Sequence, residues 1–383
     1  MADPVRLPII AATAGSGYTL ALSVGGQNTQ VPVILDTGSS TTAVLSQLYD
    51  PGADPAATTT QLLQSSSFGA GYLAAVVQAP VGFAGAASPV TLATANLSVV
   101  YNVNQSPFGR AFGIVGLAYP ALSLANRMAD NTWTKKYTQA EFQAAASAGP
   151  VAPYLDQLVA DGQITNKFAF SVQRSFRSQA AGSDQLNTGL FVLGDCEDCT
   201  DLFKGDFASV PIVHESYFGT NLLAIRIGDQ AIQVPPLPAG SPAASNSFID
   251  SGCNFLQFET DLYQRVLAAF GATNGATLKA GQATQAQLGL DDWPNIELVL
   301  AGAGGSQITL AVAPKDYWQF DSPGPGTARP ALSTGATPFP GQSILGLPLF
   351  AGHYVVFDRS GGPGQGVIKF AAQPAADTAP LIS

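Results

Sequence analysis

The stretch from Val33 to Val44, VILDTGSSTTAV, decides how this chain is interpreted. An apolar run rich in β-branched residues leads directly into Asp36, and Thr37, Gly38 and two serines follow. Runs of this kind that are bounded by Gly and Ser are typical of a strand ending in a tight turn. We therefore expect a buried strand that ends at a carboxylate.

The same pattern occurs a second time. SFIDSGCN, from Ser247 to Asn254, repeats the apolar run and the turn around Asp250. Two further pairs of segments repeat in the same order: LALSVGGQ (20–27) with LAIRIGDQ (223–230), and FGIVGL (112–117) with SILGLP (343–348). Repetition of several elements in one order predicts two related halves. We place them at residues 1–175 and 176–383, each with one aspartate.

The composition limits both the fold and the partners. Apolar residues make up 46% of the 383 and charged residues only 11%, with a net charge of −10, which argues against a nucleic-acid partner. No apolar run of about 18 residues occurs, so we expect no membrane span. Short strands with Gly, Pro and Asn turns predict an all-β class, mainly β with a few short helices. Helices are predicted at 153–164 and 259–272, and a loop at 322–341.

The start of the chain and its cysteines predict the compartment. The first residues, MADPVRLPIIAATAG, do not resemble a signal peptide, and three cysteines are too few for a disulfide-stapled scaffold. These features favour a reducing, cytoplasmic location. A secreted mature form without its leader would look similar at its start, so this alternative stays open.

Two aspartate turns in related halves suggest a specific chemistry. If the halves face each other, Asp36 and Asp250 meet, and two neighbouring carboxylates do not both ionise easily. The pair then shares one proton, and its two apparent pKa values belong to the pair. Such a pair can act as acid and base together on a water molecule and an amide carbonyl.

The neighbouring residues have predicted supporting roles. Gly38 and Gly252 allow tight turns, and their amides can donate to the carboxylates. The hydroxyls of Thr37 and Ser251 are expected to connect the two turns, and Ser39 is expected to donate to Asp36. Glycines in the two repeated apolar segments, Gly116 and Gly346, are expected to let a strand pass close behind each turn.

At this point the chain resembles the pepsin-like aspartic proteases over about residues 15–372. The resemblance is carried by VILDTGSS, FGIVGLAYPALS, FIDSGC and SILGLPLFAGHYVVFDRSGG. It implies two β-rich lobes, a central cleft for an extended peptide, a hairpin flap and the catalytic pair Asp36 and Asp250. The lack of a leader, a pro-segment and the family's disulfide cysteines is most similar to cytoplasmic bacterial homologues of the shewasin type.

The predicted flap departs from the family pattern. In SSFGAGYLAA, Phe68 takes the place of the family's tyrosine, and Gly69, Gly71 and Tyr72 complete the substrate-binding flap. The tryptophan that usually partners the tyrosine is replaced by Ala43. Tyr72 is a candidate for a substitute hydroxyl.

The resemblance predicts a monomeric, pepstatin-sensitive endopeptidase that cuts between bulky apolar residues at acidic pH, without cofactor or metal. Its partners would be peptides or proteins, with no nucleic acid and no membrane. Cys253 stands where the family has Thr or Ser, and a thiol is a poor donor. The alternative is therefore a weak or inactive peptide-binding or inhibitor protein.

Cys196 and Cys199, in CEDC, are expected to form a plain turn or a local disulfide rather than a zinc site.

Overall fold

The structure is a computed structural model of the chain. Among the residues that the structure describes, strands hold 43% and helices 17%, which confirms the predicted mainly β class with few short helices. The chain divides into two compact units, Met1–Asn166 and Lys167–Ser383. The residues that the structure describes are 3–13, 17–66, 71–85, 90–101, 103, 105–182, 184–237, 241, 243–335 and 340–374.

The division falls earlier than the boundary that we predicted after residue 175. The reason is that the strand Lys167–Val172 pairs with Thr188–Leu193 on one side and with His353–Asp358 on the other. Both neighbours belong to the second unit, so the strand belongs there too. The assignment of one catalytic aspartate and the flap to the first unit, and of the other aspartate to the second, stays a prediction.

The described part of the first unit forms ten strands and two α-helices. The helices are α1 (Gln139–Ala144) and α2 (Tyr154–Ala160), and a 3-10 helix spans Pro120–Leu122. The strands are β1 (Val5–Ala11), β2 (Tyr18–Val24), β3 (Thr29–Asp36), β4 (Thr42–Leu45), β5 (Thr58–Ser66), β6 (Tyr72–Phe83), β7 (Val90–Tyr101), β8 (Gly113–Gly116), β9 (Leu124–Arg127) and β10 (Ala146–Pro150).

These ten strands hydrogen-bond in the order β10-β9-β5-β6-β7-β4-β8-β3-β2-β1, and β6 also pairs with β2. Buried and half-buried residues alternate along β2, as expected for a strand with one face on the core. Helix α1 begins after Thr138, which forms a capping box with Glu141 and so satisfies two amides at the helix start. Helix α2 lies within the helix predicted at 153–164.

The described part of the second unit forms seventeen strands and five α-helices. The helices are α3 (Asp184–Asn187), α4 (Thr260–Ala269), α5 (Gly271–Ala280), α6 (Pro314–Tyr317) and α7 (Leu347–Ala351), with 3-10 helices at Cys196–Asp198, Gln285–Gln287, Leu290–Asp292 and Ala303–Gly305. The strands are β11 (Lys167–Val172), β12 (Thr188–Leu193), β13 (Lys204–Pro211), β14 (Gly219–Thr220), β15 (Leu222–Ile227), β16 (Gln230–Gln233), β17 (Ser247–Ile249), β18 (Leu256–Phe258), β19 (Ala283–Thr284), β20 (Ile296–Ala301), β21 (Gln307–Val312), β22 (Trp318–Phe320), β23 (Thr327–Pro330), β24 (Leu332–Thr334), β25 (Ser343–Leu345), β26 (His353–Asp358) and β27 (Val367–Ala372).

The strands of the second unit pair in four groups: β12-β11-β26-β27-β13, β14-β17-β25-β18-β24, β16-β15-β20-β21 and β19-β23-β22. Aromatic rings fill the core beside β11 and β26, where Phe168 stacks on Phe357 with ring centroids 4.8 Å apart. Helix α4 lies within the helix predicted at 259–272. The loop predicted at 322–341 is wrong in part, because it contains β23 and β24, which pair with strands outside that stretch.

Each unit contains the same arrangement of four strands. In the first unit β3 runs parallel to β8, and β4 runs antiparallel to β8 and parallel to β7. In the second unit β17 runs parallel to β25, and β18 runs antiparallel to β25 and parallel to β24. The repeated sequence elements therefore correspond to a repeated strand arrangement, and in each unit the aspartate turn joins its first two strands. Among the described residues, the helices are all too short or too polar to span a bilayer.

Candidate active site

The first aspartate turn positions its own carboxylate. Asp36 lies at the end of β3 with only 2% of its surface exposed. The amide of Gly38 donates to Oδ1 at 2.8 Å, and the hydroxyl of Ser39 donates to Oδ2 at 2.6 Å. Both donors come from the next three residues of the chain, and hydrogen bonds to a charged acceptor are stronger than neutral ones.

Strand β8 passes close behind this turn. A Cβ atom at Gly116 would lie 2.5 to 2.6 Å from backbone atoms of Ser39 and Ser40, which is closer than side chains tolerate. The Leu117 amide also donates to the carbonyl oxygen of Asp36 at 2.8 Å. Glycine is therefore required at residue 116, because only a residue without Cβ allows this approach.

The second turn repeats this construction. Asp250 follows β17, and the amide of Gly252 donates to its Oδ1 at 2.8 Å, the same distance as in the first turn. Gly346 lies directly behind the turn, and a Cβ there would overlap the carbonyl oxygens of Cys253 and Phe255. In each unit a carboxylate is thus fixed by the amide two residues further on, and a glycine that lies at the end of a parallel strand or directly after it packs behind the turn.

The comparison with protein families agrees with this geometry. A family model described as eukaryotic aspartyl protease matches residues 17–365, which includes both turns and most of the 383 residues. The chain belongs to the eukaryotic aspartyl protease family. Its mainly β structure is consistent with a pepsin-like fold. Membership of this family supports aspartic endopeptidase activity and peptide or protein substrates.

The two turns of this aspartyl protease differ in their fourth residue. Ser39 donates its hydroxyl to Asp36, whereas the thiol of Cys253 lies 3.5 Å from the carbonyl oxygen of Phe255. Sulfur is a weak donor, so the thiol contributes less than a hydroxyl at this distance. Ser39 and Cys253, at matching positions of the two turns, therefore differ both in donor strength and in the acceptor that each lies near.

The hydroxyl residues that follow each aspartate are buried. Thr37 is 0% exposed and Ser251 is 1% exposed, and both make interactions within the folded chain. A buried hydroxyl must find a hydrogen-bond partner, so both residues are part of the fixed structure around the turns. Their predicted role in connecting the two turns stays a prediction.

The described part of the predicted flap begins at Gly71, since Phe68 and Gly69 lie outside the described residues. Gly71 has a φ of 78°, a left-handed conformation that favours glycine. Next to it Tyr72 is 7% exposed and packs edge-on against Phe108, with ring centroids 5.4 Å apart. Tyr72 thus takes part in the core of the first unit at the base of β6.

Ala43 belongs to the same core cluster as Tyr72 and is fully buried. The small side chain therefore lies in a closed, apolar environment. Burial raises the pKa of Tyr72, a hydrogen bond with Ser66 lowers it and the charge of Asp36 raises it, and together they bring this pKa to about 12. The Tyr72 phenol is thus neutral over the whole acidic range and within electrostatic reach of Asp36. Its substrate-contacting role stays a prediction.

An aromatic and cationic cluster that was not predicted from the sequence lies beside the second turn. The Arg329 guanidinium lies 3.9 Å from the ring centroid of Phe176, whose ring contacts that of Phe255 edge-on at 5.1 Å. We call Phe176, Phe255 and Arg329 the Arg329 cluster. Phe255 could have been noticed because it closely follows Asp250, but no sequence signal connects it to the other two residues.

The cysteines of CEDC lie in the core of the second unit. Cys196 and Cys199 are 0% exposed and carry thiols rather than a disulfide. Burial raises the pKa of Cys196 well above its ordinary value, and a buried protonated thiol is unreactive. Among the residues that the structure describes, no group of three or more His, Cys, Asp or Glu side chains could hold a metal ion.

Proposed function

We propose that this aspartyl protease is an endopeptidase that hydrolyses peptide bonds at acidic pH with water activated between Asp36 and Asp250. The observation that carries the proposal is that both turns keep a carboxylate fixed by the amide two residues on. Asp36 is buried and Asp250 is half-buried, and removing a carboxylate from water is costly, so two such turns indicate a use for the charge.

The mechanism follows from a pair that shares one proton. The ionised carboxylate removes a proton from water while the protonated one donates its proton to the peptide carbonyl oxygen, and the water oxygen bonds to the carbonyl carbon. The tetrahedral intermediate breaks when the carboxylic acid formed in the first step gives its proton to the amide nitrogen. A diol hydroxyl returns its proton to the other carboxylate, and the C–N bond is cleaved. The pair ends with one proton, as it began.

The donors of the first turn favour Asp36 as the ionised member. The amide of Gly38 and the hydroxyl of Ser39 both stabilise negative charge on this carboxylate. In the second turn the residue matching Ser39 is Cys253, whose weaker thiol is near the Phe255 carbonyl. We therefore assign the shared proton to Asp250 and the role of general base to Asp36.

The test is cleavage of denatured protein and of quenched peptides between about pH 3 and pH 5, with and without pepstatin. Asp36→Asn and Asp250→Asn should each abolish turnover and leave the fold intact, because Asn keeps the shape but cannot exchange the proton. Asp229→Asn is the matched control, since Asp229 is exposed in a hairpin of the second unit. Full activity in either active-site variant would refute the mechanism.

Cys253 favours a second candidate function. A weak donor in the second turn suits a protein that binds peptides in the same site with little or no turnover. Binding of a peptide by folded protein without cleavage at any pH would support this candidate over the first. Recovery of turnover in Cys253→Ser would then show that the thiol limits the reaction.

The finer properties are proposals as well. We place the enzyme near the cytoplasmic bacterial homologues because its three cysteines, all within the described residues, carry thiols rather than disulfides. We expect a monomer, since one chain supplies both aspartates, and a preference for bulky apolar residues around the cut. Cell fractionation, light scattering and mapping of cleavage sites test these three points. Recovery of the chain outside the cells would contradict the first.

A further inference from the structure

The Arg329 cluster is built onto the turn that carries Asp250. The carbonyl oxygen of Phe255 lies against Gly346, the same glycine that lies behind the Asp250 turn. The side chain of Asn254 donates to the carbonyl oxygen of Ser175, next to Phe176. The cluster is therefore connected to the second turn by direct contacts.

Backbone pairing places Arg329 beside Phe176 and the second turn. The amide of Leu256 donates to the carbonyl oxygen of Ala331 at 2.9 Å, which aligns β18 beside the segment that follows β23. Gln319 pairs with Arg329 across β22 and β23, and its side chain accepts a hydrogen bond from the amide of Ser175. Arg329 is thus held beside the Phe176 ring by the pairing of β23 with β22 and by the hydrogen bond between Ser175 and Gln319.

Arg329 has no acidic partner in the part of the chain that the structure describes. Its contacts there are the faces of the two phenylalanine rings, at 3.9 Å and 5.9 Å. By contrast, the partly buried Lys369 lies 2.6 Å from Glu197 and 3.0 Å from Asp358. Burial lowers the pKa of Arg329, so its charge is poorly solvated. A poorly solvated cation attracts an anion more strongly than an exposed one does.

We propose that Arg329 binds a carboxylate of the peptide substrate and thereby selects substrates with an acidic residue near the cleaved bond. This inference rests on the proposed function, since it concerns the substrate of the same site. The Phe176 ring supports the flat face of the guanidinium and leaves its N–H edge to form two parallel hydrogen bonds to a carboxylate. Arg329 is a specificity-determining residue in this scheme and takes no part in the proton transfers.

The experiment compares peptides that differ only in one residue. Amidated quenched peptides carry Glu, Gln or Lys in turn at each position around one cleavage site, and kcat/KM is measured at about pH 5.5 and about pH 3. At the higher pH Glu is ionised, so we expect the Glu peptide to be preferred over Gln by about tenfold at one position. At about pH 3 Glu is neutral and the preference should shrink to about twofold or less.

Two substitutions separate charge from shape. Arg329→Met keeps the length and loses the charge, and should abolish the preference for Glu over Gln, whereas Arg329→Lys should keep part of it. Arg226→Met is the matched control, because Arg226 is an exposed cation of the same unit that faces Glu297 at 4.0 Å. The control should keep the full preference. An equal Glu preference in Arg329→Met and the wild type would overturn the proposal.

The substrate carboxylate could be a side chain or the end of a peptide. Free-acid peptides with Gln throughout distinguish the two sources, since a preference for these over amidated ones would indicate a terminal carboxylate. Binding of Glu and Gln peptides to Asp36→Asn is the second measurement. If no peptide is cleaved, the proposed function fails, and tighter binding of the Glu peptide still supports Arg329. Equal dissociation constants for both peptides would overturn the Arg329 proposal alone.

Discussion

The hydroxyl of Ser39 offers the sharpest test of how the first turn works. It donates to Oδ2 of Asp36 at 2.6 Å, and this carboxylate is only 2% exposed. A hydrogen bond to a charged group contributes about 1.5 to 3 kcal/mol. Ser39→Ala should therefore reduce kcat/KM by about 10- to 150-fold if the bond stabilises the charged base.

The pH profile separates this effect from a general loss of structure. Without the donor, the anionic form of Asp36 is less favoured, so the acidic limb of kcat/KM should move up by about one to two pH units. The assay is cleavage of one quenched peptide from about pH 2 to pH 7. The change should appear at its largest at the acidic end and diminish toward the optimum.

Ser40→Ala is the matched control for Ser39→Ala. Ser40 is 1% exposed, and its hydroxyl donates to the carbonyl oxygen of Tyr119 at 2.5 Å and not to a carboxylate. Its removal should lower the free energy of unfolding by about 1 kcal/mol without moving the acidic limb. The reasoning is refuted if Ser39→Ala keeps the wild-type profile, or if both variants move it equally.

Three further predictions concern stability. Burial raises the pKa of Asp316 from 3.8 to about 6, so the protonated carboxyl contributes fully to stability below about pH 3.8. This contribution is lost as the pH rises through 6. In denaturant unfolding the wild type should therefore lose about 3 kcal/mol between pH 3 and pH 8, and Asp316→Asn should not show this loss. Gly346→Ala should cost about 3 kcal/mol because its Cβ overlaps two carbonyl oxygens, whereas Gly324→Ala, in open space, should change stability by less than about 0.5 kcal/mol. Burial raises the pKa of Asp358, but hydrogen bonds from Ser360 and Lys369 outweigh burial and lower this pKa to about 2. The ionised carboxylate therefore stabilises the fold above about pH 3.8, and this stabilisation is lost as the pH falls toward 2. In thermal unfolding, Lys369→Met should reduce the loss of stability in acid by about 1 kcal/mol.

Each of these predictions has a clear contrary outcome. An identical dependence of stability on pH in Asp316→Asn and the wild type would show that the buried carboxyl does not titrate in this range. Equal effects of Gly346→Ala and Gly324→Ala would show that the turn tolerates a Cβ. An unchanged acid transition in Lys369→Met would show that Asp358 is stabilised by other groups.

The aspartate turns were predictable because they are local. The Asp36 carboxylate accepts from the amide two residues on and the hydroxyl three residues on, so one short stretch contains the carboxylate and both of these donors. The glycines behind the turns were predictable too, since Gly116 and Gly346 lie in repeated apolar segments. Repetition in the amino-acid sequence is enough to indicate that these distant segments belong together.

The structural features that the sequence did not predict depend on contacts between distant segments. Residues 322–341 are rich in Gly and Pro and were predicted as a loop, yet they contain β23 and β24. These short strands exist because β18 and β22 supply their hydrogen-bond partners. Tyr72 shows the same limit, because its burial against Phe108 depends on how β6 packs and not on the flap motif.

The sequence by itself determined the mainly β class, the two related halves and the two carboxylate turns, because periodicity, turn residues and short-range hydrogen bonds are written in neighbouring residues. Only the tertiary structure decided that Phe176, Phe255 and Arg329 form one cluster beside the second turn. These residues come from three separate segments, and their contact arises from strand pairing that no local pattern encodes. Burial and charge at such a site depend on which distant side chains the fold brings together.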